Sequence, residues 1–340
     1  MVAVSDFEAS VAARDSEGVQ AAFTAMRTVF PKARRAEVVA AGRRLAGLLA
    51  QAPPMAGGML AVLIGACVER GADADVCGRA VLDGTRAALE GAALFAERWA
   101  AGGRGELPDP EETEPVDDTF DLLGGREAAE ARRAISGWWT LPQWEMAAVA
   151  MLSYKQVRST LRDRAELLAL ADRVGRSGDL RCLRYALKVL DGESLIALHR
   201  ETRTGYLLRM TGIADNFQLH TLLAGALVVP GHVPGRAPSA REIAVCRDVE
   251  VALSERPPAV GTFNLVSPDG SWIWNEGTPS DIPVVDGVRL LVLDPPPYER
   301  AWPAGRFFPR MRADLVLERV LSPEEADACF ARVSEAGTTA

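Results

Sequence analysis

The stretch Ser194–Val229, SLIALHRETRTGYLLRMTGIADNFQLHTLLAGALVV, decides the fold. Before it, apolar residues mostly recur at helical spacing; after it come short β-like runs broken by Pro and Gly. Leu195–His199 and Tyr206–Met210 are apolar runs of strand length, and the charged, Gly-ended segment Arg200–Gly205 lies between them. That pattern predicts a β-hairpin. In its second strand Tyr206, Leu208 and Met210 share one face and Arg209 lies on the other, because strand side chains alternate. Gly212 breaks the strand. Asp215 followed three residues later by Gln218 is a capping-box pair that opens a helix. Phe217, Leu219, Leu222, Leu223, Ala226 and Leu227 supply its apolar body, and Pro230-Gly231 ends it.

Upstream, residues 4–100 read as helices. Pro31 stands at the start of Lys32–Gln51, where its missing N–H costs nothing, and Pro53-Pro54 stops that helix. Met55–Arg70 and Asp73–Ala101 follow, the latter with Val76, Ala80, Val81, Leu89, Ala93 and Phe95 at helical spacing. Gly102–Gly125 is acidic, rich in Pro and Gly, and poor in bulky apolar residues, which predicts a solvated connector. Helices resume at Arg126, and Trp138, Trp139 and Trp144 read as packing between them.

Downstream, Ser239 starts a helix expected to run to Ser254. The next signal is a second hairpin, Thr262–Val266 and Ser271–Glu276, around Ser267-Pro268-Asp269-Gly270. Those turn residues fit a type I turn with a bulge at Gly270. The register then puts Phe263, Leu265, Ile273 and Asn275 on a core side, and Asn264, Val266, Trp272, Trp274 and Glu276 on the other. Val284–Asp286, Val288–Asp294 and Asp314–Val320 read as further strands, and Ser322-Pro323-Glu324-Glu325 opens a last helix. Hairpins and helices without a regular strand-helix-strand rhythm predict an α+β fold, an N-terminal helical region followed by a mostly antiparallel sheet with flanking helices. The expected division is 1–101 helical, 102–125 acidic connector, and 126–340 helices leading into an α+β domain.

The formal net charge of -8 argues against broad nucleic-acid binding through counterion release. Lys32, Lys155 and Lys188 are the only lysines among 38 basic residues, the mark of a high-G+C bacterial genome rather than of a site. The five cysteines form no C-x-x-C pair, so reduced thiols are expected. MVAVSDFEAS does not read as a signal peptide, and the longest apolar run, Met59–Val68, is too short to span a bilayer. A soluble, cytoplasmic protein without a membrane partner is expected.

P-loop, dinucleotide-binding, H-E-x-x-H, nucleophile-elbow and zinc signatures are absent, and no motif names a cofactor or a metal site. Two constellations remain. His199, Asp215, Asn216, Gln218 and His220 come together if the helix packs back on the first hairpin, and His with a carboxylate is acid-base vocabulary. Cys246 is a nucleophile only if a His lies beside it. The second constellation is Trp272, Trp274 and Glu276 with Tyr298, Trp302 and Arg306, residue types that anchor interfaces. The expectation is a non-catalytic binding or adaptor protein acting on a protein or peptide partner. The alternative is an enzyme of unassigned reaction using His199, Asp215 and His220.

Overall fold

Side chains that cap helices set most of the boundaries. Asp15 accepts from the Gly18 amide at 3.0 Å, and Asp73 accepts from the amides of Asp75 and Val76 at 3.0 and 3.3 Å. Each satisfies donors that the first turn of a helix leaves open. Ser239 with Glu242 and Ser322 with Glu325 form reciprocal capping boxes further on. The computed structural model describes residues 2–174 and 180–334.

Two compact units divide between Leu187 and Lys188. The first is helical: α1 Val2–Ala13, α2 Ser16–Val29, α3 Arg35–Leu48, α4 Pro54–Glu69, α5 Ala74–Ala101, α6 Asp117–Leu122, α7 Ala129–Trp139, α8 Leu141–Leu152, α9 Lys155–Thr160, α10 Arg164–Val174 and α11 Arg181–Lys188. α5 lies at its centre, burying Cys77, Val81, Leu89, Ala92 and Phe95. Trp138 stacks on Phe95 with ring centroids 5.2 Å apart. Both flanks of the acidic stretch 102–125 fall in this unit. The physical tie is the tryptophan pair. The Trp138 indole donates to the Pro108 carbonyl and the Trp139 indole to that of Thr113, each at 2.9 Å.

The second unit is the α+β part: β1 Leu190–His199, β2 Thr204–Ile213, α12 Asn216–Leu227, α13 Ala240–Arg247, β3 Pro258–Val260, β4 Asn264–Val266, β5 Val284–Val285, β6 Val288–Asp294, β7 Ala301–Pro303, β8 Asp314–Val320 and α14 Pro323–Phe330. Six strands form one sheet in the order β4-β6-β1-β2-β8, with β5 also on β6, and β3 pairs β7 separately. Every pairing is antiparallel except β1 with β6. In the β1–β2 hairpin Leu195 lies opposite Leu208 and Ala197 opposite Tyr206. Leu195, Ala197, Tyr206, Leu208 and Met210 join Leu219, Leu222, Leu223 and Leu227 of α12 in the main core. Leu198 and Leu290 pack with Phe330 of α14 in a smaller cluster. The sheet is thus an α+β layer with helices on it, as the hairpin pattern requires.

Two elements are shorter than the sequence predicts. α13 ends at Arg247 instead of running to Ser254. Arg306 accounts for this: its guanidinium donates to the carbonyls of Arg247 and Val249, each at 3.1 Å, replacing the helical partners those oxygens would otherwise need. The second hairpin keeps its turn but loses most of its outer strand. Gly270 adopts φ +90°, its amide donates to the Ser267 carbonyl at 2.9 Å, and Val266 bridges Trp272. Beyond Ile273 the chain turns away, and the Gly277 amide closes on the Trp274 carbonyl at 3.0 Å.

Candidate functional site

The residues that start α12 serve the backbone. The Asp215 carboxylate accepts from the Gln218 amide at 2.7 Å. The Gln218 side chain accepts from the Ala214 amide at 3.0 Å and donates to the Cys246 carbonyl at 2.6 Å. The box therefore reaches one residue further back than the usual N-cap amide, and it ties α12 to α13. Asn216 faces the other neighbour. Its amide donates to the Gly277 carbonyl at 3.0 Å, and its side-chain Nδ2 donates to the Trp274 carbonyl at 2.9 Å. The start of α12 thus holds the Trp-bearing turn by two hydrogen bonds.

The histidines are packed rather than open. His220 has no solvent exposure. Its Nε2 lies 3.0 Å from the Phe263 amide nitrogen and 3.1 Å from the Phe263 carbonyl oxygen, donating or accepting according to its tautomer, and its ring lies against Phe263 and, edge-on, Trp302 at centroid distances of 5.7 and 5.0 Å. Burial pushes its pKa down to about 4, against the raising effect of the Phe263 backbone and with help from the Arg300 charge. His199, at the end of β1, is also buried and packs edge-on against Phe263 at 6.1 Å. Its Nδ1 lies 2.9 Å from the Thr202 hydroxyl. Burial lowers its pKa as well, opposed by the charges of Glu201 and Asp294. The structure therefore brings His199 and His220 to one phenylalanine, while Asp215 spends its carboxylate on a helix cap. The Cys246 thiol is fully buried, and burial pushes its pKa up to about 11, which keeps it protonated and unreactive. Among the described residues no group of three His, Cys, Asp or Glu is placed to hold a metal ion.

The second constellation divides. Trp302 is half-buried against the main core and Arg306 is buried. Trp302 sits on β7 opposite Ala259, and its ring packs on Phe217 at 5.4 Å as well as on His220. Arg306 is 4% exposed and binds the two carbonyls that end α13. Chemistry-bearing residue types on a Pro-rich loop looked outward in sequence, but the loop folds its indole and guanidinium inward.

Trp272, Trp274 and Glu276 stay together at the surface. Trp274 is 61% exposed, Trp272 is half-buried, and Glu276 is exposed. The two indoles meet edge to face at 5.8 Å and 63°. Phe263, Leu265 and Asn275 are buried, and Ile273 packs against the main core, so the expected core side holds. Asn264 and Val266 are buried too, because β6 pairs with β4. The backbone beneath Trp274 is fixed from several directions. Asn216 holds it from α12, Gly277 closes the turn, and Asp281 caps Thr278, accepting from its amide at 2.7 Å. Tyr298 is 53% exposed and lies beneath the Arg300 guanidinium at 5.5 Å. Arg300 itself reaches the Phe263 carbonyl at 3.0 Å. Sequence reasoning missed Arg300 and the anchoring role of Asn216. The second was signalled only by an amide residue one place past an N-cap.

No family model, no curated protein and no solved structure matches this chain.

Proposed function

We propose that the protein is a non-catalytic binding or adaptor protein that engages a protein or peptide partner through Trp272, Trp274 and Glu276, with Tyr298 as a further exposed aromatic. One observation carries the reading. Trp274 leaves 61% of its surface in water while its backbone is pinned by Asn216 and Gly277. An apolar ring held rigidly in solvent costs free energy in the isolated protein and is recovered on contact, and such residues anchor interfaces. Pre-organisation of the turn lowers the entropy lost on binding.

A catalytic reading on His199, Asp215 and His220 finds no support in this geometry. His220 is sealed, and the Asp215 carboxylate caps α12. The net charge of -8 favours a partner other than nucleic acid. No helix among the described residues is long and apolar enough to cross a membrane. The five cysteines are free, which fits a reducing compartment, and we place the protein in the cytoplasm of a bacterial cell. The test is a photo-crosslinking amino acid introduced at Trp274 and, as a control, at Val316, which is 48% exposed on β8. Cross-linking in the native host is expected to give a discrete adduct from position 274 and none from 316. Equal, diffuse labelling from both positions rejects the reading.

A further inference from the structure

We propose that an open groove in the helical unit docks an acidic amphipathic helix of about three turns. This site is independent of the Trp274 surface, and neither reading rests on the other.

The groove encloses about 690 Å³, and its floor comes from α5. Val76, Ala80, Gly84 and Ala87 recur there at one-turn spacing. The sequence pattern assigned Val76 and Ala80 to the buried face of α5. Instead Val76 is 39% exposed and Ala80 half-buried, both lining the open groove. The glycines show how the shape is held. A Cβ on Gly84 would lie 2.3 Å from the Trp144 indole, and one on Gly91 would lie 2.4 Å from the Arg133 carbonyl. Trp144 therefore fills the bottom, and α7 is locked against α5 at Gly91, beyond the groove.

Charge selects the occupant. Arg79 on α5 and Arg133 on α7 are exposed, line the groove, and form no ion pair with a described residue. Arg132 also lines it, 3.5 Å from Glu127. Asp83 is the single acidic side chain among the lining residues. A net-positive rim over an apolar floor, in a chain of net charge -8, complements carboxylates that flank an apolar stripe.

Shape separates a helix from a fatty carboxylate. Small-molecule sites bury roughly 70–90% of their ligand. Here Val76, Arg79, Asp83, Ala87 and Arg133 are all exposed, so an acyl chain would stay wetted along its length. A helix needs to bury only one face, and an amphipathic helix laid in a groove does so. The span from Val76 to Ala87 is about 16 Å at 1.5 Å per residue, three turns of an occupant helix.

The experiment uses the full chain and a fluorescein-labelled peptide of about fourteen residues, with leucines on one helical stripe and glutamates flanking it. A second peptide carries lysine at every glutamate position, and sodium oleate is the competing probe. Fluorescence anisotropy is expected to show saturable binding of the glutamate peptide, weakened by salt, and none of the lysine peptide. Arg79→Glu with Arg133→Glu is expected to weaken the glutamate peptide at least about tenfold and to create binding of the lysine peptide. Ala87→Trp, which fills the floor, is expected to abolish both. If the double reversal fails to fold, Arg79→Ala with Arg133→Ala replaces it, with at least about fivefold weakening of the glutamate peptide expected. Equal binding of the two peptides, indifference to the arginine changes, or oleate binding that Ala87→Trp removes while the glutamate peptide shows none, overturns the proposal.

Discussion

Two regions of the second unit were singled out by residue type, and they end in opposite environments. His199 closes β1 opposite Thr204, Asp215 caps α12 beyond the far end of β2, and His220 lies in the second turn of α12. Both imidazoles are buried against Phe263, and the Asp215 carboxylate is spent on the cap. Trp274 sits one hydrogen bond from Asn216, its backbone satisfied while its ring is left mostly to solvent beside the half-buried Trp272. Asp215 caps α12 and His220 Nε2 is partnered by the Phe263 backbone, while His220 Nδ1 is buried without a hydrogen-bond partner. A large apolar ring in water has no such explanation within the monomer. On this contrast the first region is accounted for mainly by packing and capping, and the second is the candidate for contact that we propose.

The sharpest way to break this comparison is to attack the residue the two histidines share. Phe263→Ala removes the ring that both imidazoles pack on and is expected to cost about 3–5 kcal/mol in denaturant unfolding. A loss below about 1 kcal/mol would mean that the region is not core.

Next in size is a pH effect. In the folded protein His220 titrates near 4, below its ordinary value, so it is neutral there while the unfolded chain's histidine takes a proton near 6.5. Between those two values the unfolded state binds more protons. Stability therefore rises with pH across the window, and the contribution present above pH 6.5 is lost as pH falls toward 4. The slope is about 1.4 kcal/mol per pH unit, so the total is on the order of 3 kcal/mol. His220→Gln should flatten that part of the stability profile, and an unchanged profile would place the imidazole in contact with solvent.

Smaller again is the cap. Asp215→Ala is expected to cost about 1 kcal/mol, and Asp215→Asn, which keeps an acceptor for the Gln218 amide, much less. Equal losses in the two variants would point to the charge rather than the cap.

Much of this was legible in the sequence wherever the signal was local. The Asp215–Gln218 pair, the Ser267–Gly270 turn and the β1–β2 hairpin each depend on residues close in the chain, and each is present. The sequence also carried the core side of the second hairpin, because alternation from a fixed turn leaves two choices and Phe263 with Leu265 selects one. Long-range events were not legible. The parallel pairing of β1 with β6 joins segments some ninety residues apart, and no local pattern announces it. Arg306 ends α13 from about sixty residues away, so the helix signal read on to Ser254. Trp302 on β7 and Trp274 on the turn are the same residue type, and only tertiary packing lays one half-buried against His220 and leaves the other mostly in water. The unpaired Arg79 and Arg133 were equally hidden, since a helical surface charge gives no sign in sequence of lacking a partner.

The account's central claim is that Trp274 faces a partner and not the core, and Trp274→Ala tests it most directly. The variant and the wild-type chain are compared by thermal melting and by affinity capture from the native host. The account expects a stability change within about 0.5 kcal/mol, as for an exposed site. It also expects at least about a tenfold loss of the protein that wild type retains, as for an interface anchor. Retention of that same protein at the wild-type level, or a loss of several kcal/mol in stability, would contradict it.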